Sequence, residues 1–422
     1  MQNQVTKPYE IDRWLVQQAY EHVKSNGGSA GVDGVSLAGF EEHRQDNLYK
    51  LWNRMSSGSY FPPAVKLVEI PKSNGGLRPL GIPTVGDRVA QMTAVLVLEP
   101  LVEPYFHADS YAYRPGRNAH QALSKARERC WQYDWVLDMD ISKFFDTIDH
   151  ELLMKAIRRH TDNRWVLLYI QRWLKVPYAL KDGSFQERTM GVPQGSVIGP
   201  VLANLFLHYV FDLWMSKHHP TIPWERYADD TICHCRSMEE AWSLLEAVSV
   251  RMTECKLSLN LLKTRIVYCK DNRRKQEYEN VCFDFLGYTF APRKAKGRQD
   301  ISFTGYLPAI SQKAMNHIRE VVRGWKLTAR TQSKLENLAQ VMNPIVRGWI
   351  YYYGKFYPTR LKQFLMYLNR VLSKWISRKY KRFRSKTGRA YYWLGDIALR
   401  DKTLFYHWQW GVNPPHNKHK VG

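Results

Sequence analysis

Residues 135–150 read WVLDMDISKFFDTIDH and residues 224–235 read WERYADDTICHC. In the first, an apolar run of strand length is broken by Asp138 and Asp140; in the second, aromatic and β-branched residues flank Asp229 and Asp230, the pattern of a tight hairpin. A carboxylate inside an apolar strand is costly to bury and calls for a cation. Two such strands side by side make a carboxylate pocket of the kind that two-metal phosphoryl transfer needs. Mg²⁺ takes oxygen ligands, and two ions about 3.5–4 Å apart stabilise the attacking and leaving oxygens. A YADD tetrad also recurs by chance, and aspartates are ordinary turn residues, so these two stretches alone leave both readings open.

Working outward, strand-like residues 64–70 lead into PKSNGGLRPLGIP (71–83), where Asn74-Gly75-Gly76 marks a hairpin turn with Lys72 and Arg78 on its flanks. GVPQGSVIGP (191–200) reads as a loop whose Pro200 suits the first turn of a following helix. Helices are expected at 11–24, stopped by Asn26-Gly27-Gly28, after Asp87 as far as Pro100, and from His120 to Tyr133. In TRLKQFLMYLNRVLSKWISRKY (359–380) apolar residues recur at 361, 364, 365, 368, 371, 372, 375 and 376. That spacing predicts an amphipathic helix capped by Thr359, with Arg360, Lys362, Arg370, Lys374, Arg378 and Lys379 off its apolar stripe.

The 422 residues carry 62 Lys+Arg against 39 Asp+Glu, a formal +23. Almost all of the excess lies late in the chain: residues 301–422 hold 23 basic and 4 acidic side chains. A polyanion is the partner such a surface selects. From 337 to 395 there are 13 Lys/Arg and no acid, interleaved with Trp349, Tyr351–Tyr353, Trp375 and Tyr391–Trp393, so cations can track phosphates while exposed rings stack on bases. Trp375, on the apolar stripe, is read as core. The six cysteines form no CxxC pair, which argues against a disulfide framework or structural zinc and fits a reducing compartment. The most apolar stretch, 197–214, is interrupted by Asn204, His208 and Asp212 and does not suit a membrane span. The N-terminus has no signal-peptide or transit-peptide character.

Eight ordered blocks carry a resemblance: NGGSAGVDGVS, RPLGIPTVGDRVAQ, YAYRPGRNAHQAL, LDMDISKFFDTIDH, GVPQGSVIGPVLANLFL, RYADD, LSLNLLKTRIV and FDFLGYTF. In this order they resemble the reverse transcriptases encoded by group II introns. MNPIVRGWIYYYGKF and the basic helix after it resemble that family's thumb and maturase region, which retron, diversity-generating and abortive-infection reverse transcriptases lack. The resemblance implies an α+β right-hand polymerase, with fingers at 1–105, an antiparallel-sheet palm at 106–298, a helical thumb or maturase domain at 299–385 and a short basic DNA-binding segment at 386–422. It implies that Asp140, Asp229 and Asp230 hold two Mg²⁺ ions together with the Ile141 carbonyl, Asp138 being structural. Lys72 and Arg78 would grip the dNTP triphosphate, Phe145 would crowd a ribose 2′-hydroxyl, Gln194 would lie under the nascent base pair, and Lys263 would stand near the leaving pyrophosphate as a general acid.

The family usually shows a serine where this chain has Gly199, which weakens the expected helix cap. The implied partners are intron RNA, an RNA template with its DNA primer, target DNA and dNTPs, with no membrane and no protein partner, in a bacterial cytoplasm at the nucleoid. The six cations of the basic helix are the expected RNA contacts. The stretch beyond that helix is short for a nuclease domain, and none is expected; His407, His416 and His419 are read as a flexible basic tail rather than metal ligands. Two other readings fit parts of the chain: a splicing cofactor that only binds RNA, and a reverse transcriptase domesticated for repair or phage defence.

Overall fold

The structure is a computed structural model and describes residues 7–71, 76–296 and 302–416. The chain folds as two compact units, one made of residues 1–126 and 135–266, the other of 127–134 and 267–422. This boundary falls earlier than the change of composition near residue 300. Arg274, buried and paired with Asp271 at 2.6 Å, donates to the carbonyls of Cys130 (2.9 Å) and Tyr133 (2.6 Å) and so fastens residues 127–134 to the later part of the same unit.

In the first unit, helix α1 (Arg13–Asn26) starts on the Asp12 carboxylate and stops at Gly27, whose φ of 69° suits glycine. Strands β1 (Val65–Pro71) and β2 (Leu77–Ile82) pair antiparallel, Ile70 opposite Arg78, which puts Arg78 on a stiff ribbon. Lys72 and the Asn74-Gly75 turn lie outside the described residues. Helix α2 (Val85–Val102), capped by the Thr84 hydroxyl, is buried on most sides, and α3 (Ala119–Gln132) carries the chain into the second unit. The central sheet has the order β4-β5-β3-β6, from β3 (Trp135–Met139), β4 (Trp224–Tyr227), β5 (Asp230–Cys235) and β6 (Arg265–Tyr268).

Helix α4 (Gly199–Leu207) has Ile198 at its cap position, so Gly199 is its first helical residue. The cap residue offers no side-chain bond to the first turn; just ahead of the helix, Gln91 Oε1 accepts from the amides of Val197 (2.8 Å) and Ile198 (3.3 Å). A π-helical turn, His208–Asp212, continues α4. A π turn holds more residues than an α turn, so steps of four stay on one face. Asn204, His208 and Asp212, which break the apolar run in the sequence, thereby form one buried polar stripe.

The second unit pairs β7 (Phe283–Phe285), β8 (Tyr288–Lys296) and β9 (Ser302–Ile310) in a sheet of order β9-β8-β7, succeeded by helices α5 (Gln312–Gly324), α6 (Leu335–Tyr353), α7 (Pro358–Lys379) and α8 (Thr387–Arg400). The predicted stripe of α7 is buried from Leu361 to Ile376, Trp375 completely. Its N-terminus differs from expectation: Pro358 opens the helix, Tyr357 holds the cap position and Thr359 lies inside.

The C-terminal segment also differs. The flexible tail expected around His407 is packed as far as Val412: Phe405, Trp408 and Val412, with Ala390, Leu394 and Ala398 before them, join the same core as α7. Buried Asn369 of α7 donates to the Val412 carbonyl (2.9 Å) and accepts from His407 Nε2 and Trp408 Nε1, both at 2.8 Å. His407 is thus a core residue, with burial pushing its imidazole down to about 3. His416 is exposed, and His419 lies outside the described residues. Among the described residues no helix is long and apolar enough to cross a membrane.

Candidate active site

Asp140 comes directly after the last residue of β3. Its backbone is fixed on both sides, its carbonyl accepting from Asn260 N (2.7 Å) and its amide donating to Thr264 Oγ1 (3.4 Å). Ile141 beside it is buried and bridges to Leu259. β3 and β5 pair with Met139 opposite Thr231; that register, carried one residue further, sets Asp140 against Asp230. β4 and β5 close a two-residue turn between Tyr227 and Asp230, formed by Ala228 and Asp229. Ala228 holds a φ of 58°, a left-handed conformation that costs a non-glycine residue energy.

Asp140 and Asp229 lie within reach of each other's charge. Burial raises the Asp229 carboxyl above its ordinary range and the Asp140 charge raises it further, while Arg78 and Lys263 pull it down. Lys263 Nζ lies 3.0 and 3.2 Å from the two Asp140 oxygens. Asp230 is exposed at the start of β5, and among the described residues the structure does not gather three His, Cys, Asp or Glu side chains into one cluster. Asp138, opposite Ile232, stays within the sheet.

Two neighbouring carboxylates, one raising the pKa of the other, with a carbonyl nearby, are hard oxygen donors carrying surplus negative charge, and they fit a divalent cation of the Mg²⁺ class.

Arg78, Gln194 and Phe145 converge through the GVPQG loop. Gln194 Oε1 accepts from Arg78 Nε at 2.6 Å, and its carbonyl accepts from Gly81 N at 2.7 Å. Gly195 has φ 103°, and a Cβ there would stand 2.5 Å from the Gly81 carbonyl, so only glycine lets the loop lie against β2. Phe145 is half-buried, edge-on to buried Phe144, and its carbonyl accepts from Val192 N at 2.7 Å.

Residues without a sequence-based role join the site. Tyr113, held at φ 56°, has its hydroxyl pKa raised first by burial and then by Asp229. Asp87, entirely buried, accepts from Tyr60, Trp173 and Gln91 at 2.8–2.9 Å, and burial pushes it up to about 6. Gln91 relays that network to the loop before α4. Positive φ at Tyr113 leaves no mark in composition, whereas the acid inside VGDRVAQ is a readable sign.

Of the expected RNA contacts on α7, Lys362, Arg370, Lys374 and Arg378 are exposed and Arg360 is half-buried. Lys379 departs from the expectation: its ammonium donates to the Thr331 (2.8 Å) and Ser333 (2.6 Å) carbonyls and braces the loop before α6.

Residues 70–290 match the family described as reverse transcriptase (RNA-dependent DNA polymerase), and residues 315–393 match the group II intron, maturase-specific domain. Protein YkfC of Escherichia coli K12 is 30% identical over 69% of this chain and 83% of its own. The group II intron-encoded protein LtrA of Lactococcus lactis is 33% identical over 45% of this chain and 32% of its own; a putative COX1/OXI3 intron 1 protein of Saccharomyces cerevisiae is 26% identical over 49% and 26%. The chain thus spans most of the first relative and a third or less of the two intron proteins. It belongs to the reverse transcriptases, RNA-directed DNA polymerases of the right-hand fold, and within them to the group II intron-encoded kind that adds a maturase domain. The family works with divalent metal ions and binds RNA both as template and as intron.

Proposed function

We propose that the protein extends a DNA primer with dNTPs on an RNA template and binds a structured intron RNA to assist its splicing and its insertion into target DNA, in a bacterial cytoplasm at the nucleoid. The observation that supports the polymerase reading is that Asp140 and Asp229, at the ends of neighbouring strands, lie within reach of each other's charge, with Lys263 on Asp140 and Arg78, bonded to Gln194, acting on Asp229.

In this reading Asp140, Asp229, Asp230 and the Ile141 carbonyl hold two Mg²⁺ ions, which when bound neutralise charge developing on the attacking and leaving oxygens. The chain's own residues do the positioning. Arg78 and Lys72 bind the triphosphate, a planar fork and a point charge suiting its oxygens. Gln194, anchored by Gly81, supports the nascent base pair, and the Phe145 ring excludes a 2′-hydroxyl. The primer 3′-hydroxyl would lose its proton to solvent as its oxygen bonds to the α-phosphorus, the bond to the β-phosphate oxygen would break, and Lys263 would leave Asp140 to donate a proton to the departing pyrophosphate.

We assign residues 1–105 to fingers, 106–298 to palm and 299–385 to thumb or maturase domain, with 386–416 a helical extension of the last. Purified protein with Mg²⁺, a poly(rA) template, an oligo(dT) primer and dTTP should synthesise DNA; no incorporation with Mg²⁺ or Mn²⁺ would overturn the polymerase reading.

A further inference from the structure

The polar stripe on α4 and its π turn has a partner. Arg226, the first residue of RYADD, is completely buried, as is Asp212, and the two meet in a bidentate pair, Nε to Oδ1 at 2.7 Å and Nη2 to Oδ2 at 2.6 Å. The remaining nitrogen, Nη1, donates to Asn204 Oδ1 (3.1 Å) and to the Ala228 carbonyl (3.2 Å). Asn204 in turn donates to the Ala112 carbonyl at 2.7 Å. The third member of the stripe, His208, has its imidazole pushed down to about 4, chiefly by burial, so at neutral pH it leaves Asp212 to the arginine.

The backbone of Arg226 is tied as well, its amide donating to the Asp109 carbonyl (3.0 Å) and its carbonyl accepting from Tyr111 N (2.9 Å). The guanidinium therefore stands in a frame with little freedom, and one of its contacts is the peptide that enters Asp229. A buried ion pair is weak evidence for stability, since well-packed apolar residues of similar volume do as well. The same guanidinium, however, also holds the carbonyl of Ala228, two residues on, the residue of the β4–β5 turn held in a left-handed conformation.

We propose that Arg226, anchored by Asp212 and Asn204, is a positioning residue of the polymerase site: it holds the Ala228 carbonyl so that the turn presents Asp229 to Asp140. This rests on the polymerase reading and adds to it a reason for the π turn, which brings Asp212 onto the face of α4 that Arg226 meets. Only a planar fork satisfies two carboxylate oxygens, an amide oxygen and a carbonyl at once. Without that grip Ala228 relaxes toward an ordinary conformation and the Asp229 carboxylate turns with it; a misplacement of about 1 Å at such a site costs on the order of a hundredfold in rate.

The test compares Arg226→Lys and the double variant Arg226→Met with Asp212→Leu against the wild type. Three quantities are measured: the thermal midpoint, Mn²⁺ binding to the protein alone by electron paramagnetic resonance, and kcat and KM for dTTP on poly(rA)/oligo(dT). Removing both charges together leaves no unpaired ion, so the double variant should keep its midpoint within a few degrees. It should nonetheless bind Mn²⁺ severalfold more weakly and lose about tenfold or more in kcat, with KM little changed. Arg226→Lys, which keeps Asp212 paired but cannot reach all four acceptors, should show the same split in milder form. A double variant with wild-type Mn²⁺ affinity and kcat overturns the proposal, as does Arg226→Lys with both unchanged should the double variant fail to fold. A wild type that binds Mn²⁺ but makes no DNA would count against the polymerase reading, and the Mn²⁺ comparison would still decide the role of Arg226.

Discussion

The two units use their cations in opposite directions. In the first, arginines turn inward: Arg226, Arg88 and Arg114 are buried, and each holds backbone carbonyls, Arg114 those of His107 and Ser110 and Arg88 those of Gly27 and Ser29. In the second, the core from Ile310 to Val412 is largely apolar and most of the cations of α7 face solvent, although Lys379 on that helix and Arg274 and Arg293 before it turn to backbone carbonyls. Inward cations fix peptide geometry, which catalysis by placement needs; outward cations stay hydrated until a polyanion displaces their counterions. On the proposed function, net charge would mark where this chain binds and be silent about where it reacts.

The comparison breaks most sharply at Asp229. Asp229→Asn should lower DNA synthesis by well over about tenfold, with RNA affinity nearly unchanged in a filter-binding assay. A variant keeping a tenth of wild-type rate would mean the inward-facing carboxylates are not the reactive ones. On the outward face, replacing Lys362, Arg370, Lys374 and Arg378 together with Gln should flatten the plot of log K against log salt for structured RNA by up to about 3 and leave the melting temperature in place. Lys379→Met should do the reverse, lowering the melting temperature with the salt slope unmoved; if it moves the slope instead, that side chain binds RNA after all.

A smaller effect is expected of Phe145→Val, which should raise rNTP use relative to dNTP use. Unchanged sugar selectivity in a competition assay would return Phe145 to simple packing.

Acid should separate the units more gently. His407, in the second, has a folded pKa of about 3, below the ordinary histidine value, so its contribution to stability is complete above about pH 6.5 and is lost as pH falls from there toward 3. Asp87, in the first, has a folded pKa raised to about 6, so burial of its charge weighs against folding above that pH and is relieved as pH falls from 6 to 4. In urea titrations from pH 7 to 4.5, the stability deficit of His407→Gln should shrink and that of Asp87→Asn should grow, by about 1–3 kcal/mol each. Parallel trends would show that these burials do not differ in the way described.

The two acid-bearing strands of the candidate site were visible because charge inside an apolar strand is rare, but Asp140 and the Asp229-Asp230 hairpin acquired a role only through the ordered blocks of the resemblance. Arg78 and Gln194 were legible through their motifs, though not their mutual hydrogen bond, which joins positions 116 residues apart. The frame around Arg226 was not legible as such. Asn204, His208 and Asp212 were visible only as interruptions of an apolar run, and the π turn that aligns them has no sequence signature. The stretch around His407 was misread as a flexible tail because Phe405, Trp408 and Val412, which anchor it in the core, span too short a run to read as an element. Lys379 shows the same limit at a single position, since a cation off the apolar stripe can still spend its donors on carbonyls.

The division of the chain also bears on its synthesis. Residues 127–134 leave the ribosome before β3, yet they belong to the unit completed by residues after 267. The Cys130 and Tyr133 carbonyls therefore wait for Arg274 while the rest of the first unit is being made. A nascent chain with residues up to about 268 clear of the ribosome should have the strands that carry Asp140 and Asp229 in hand and this short stretch still open to protease, so that the first unit forms early and the second closes only when its late strands and helices arrive.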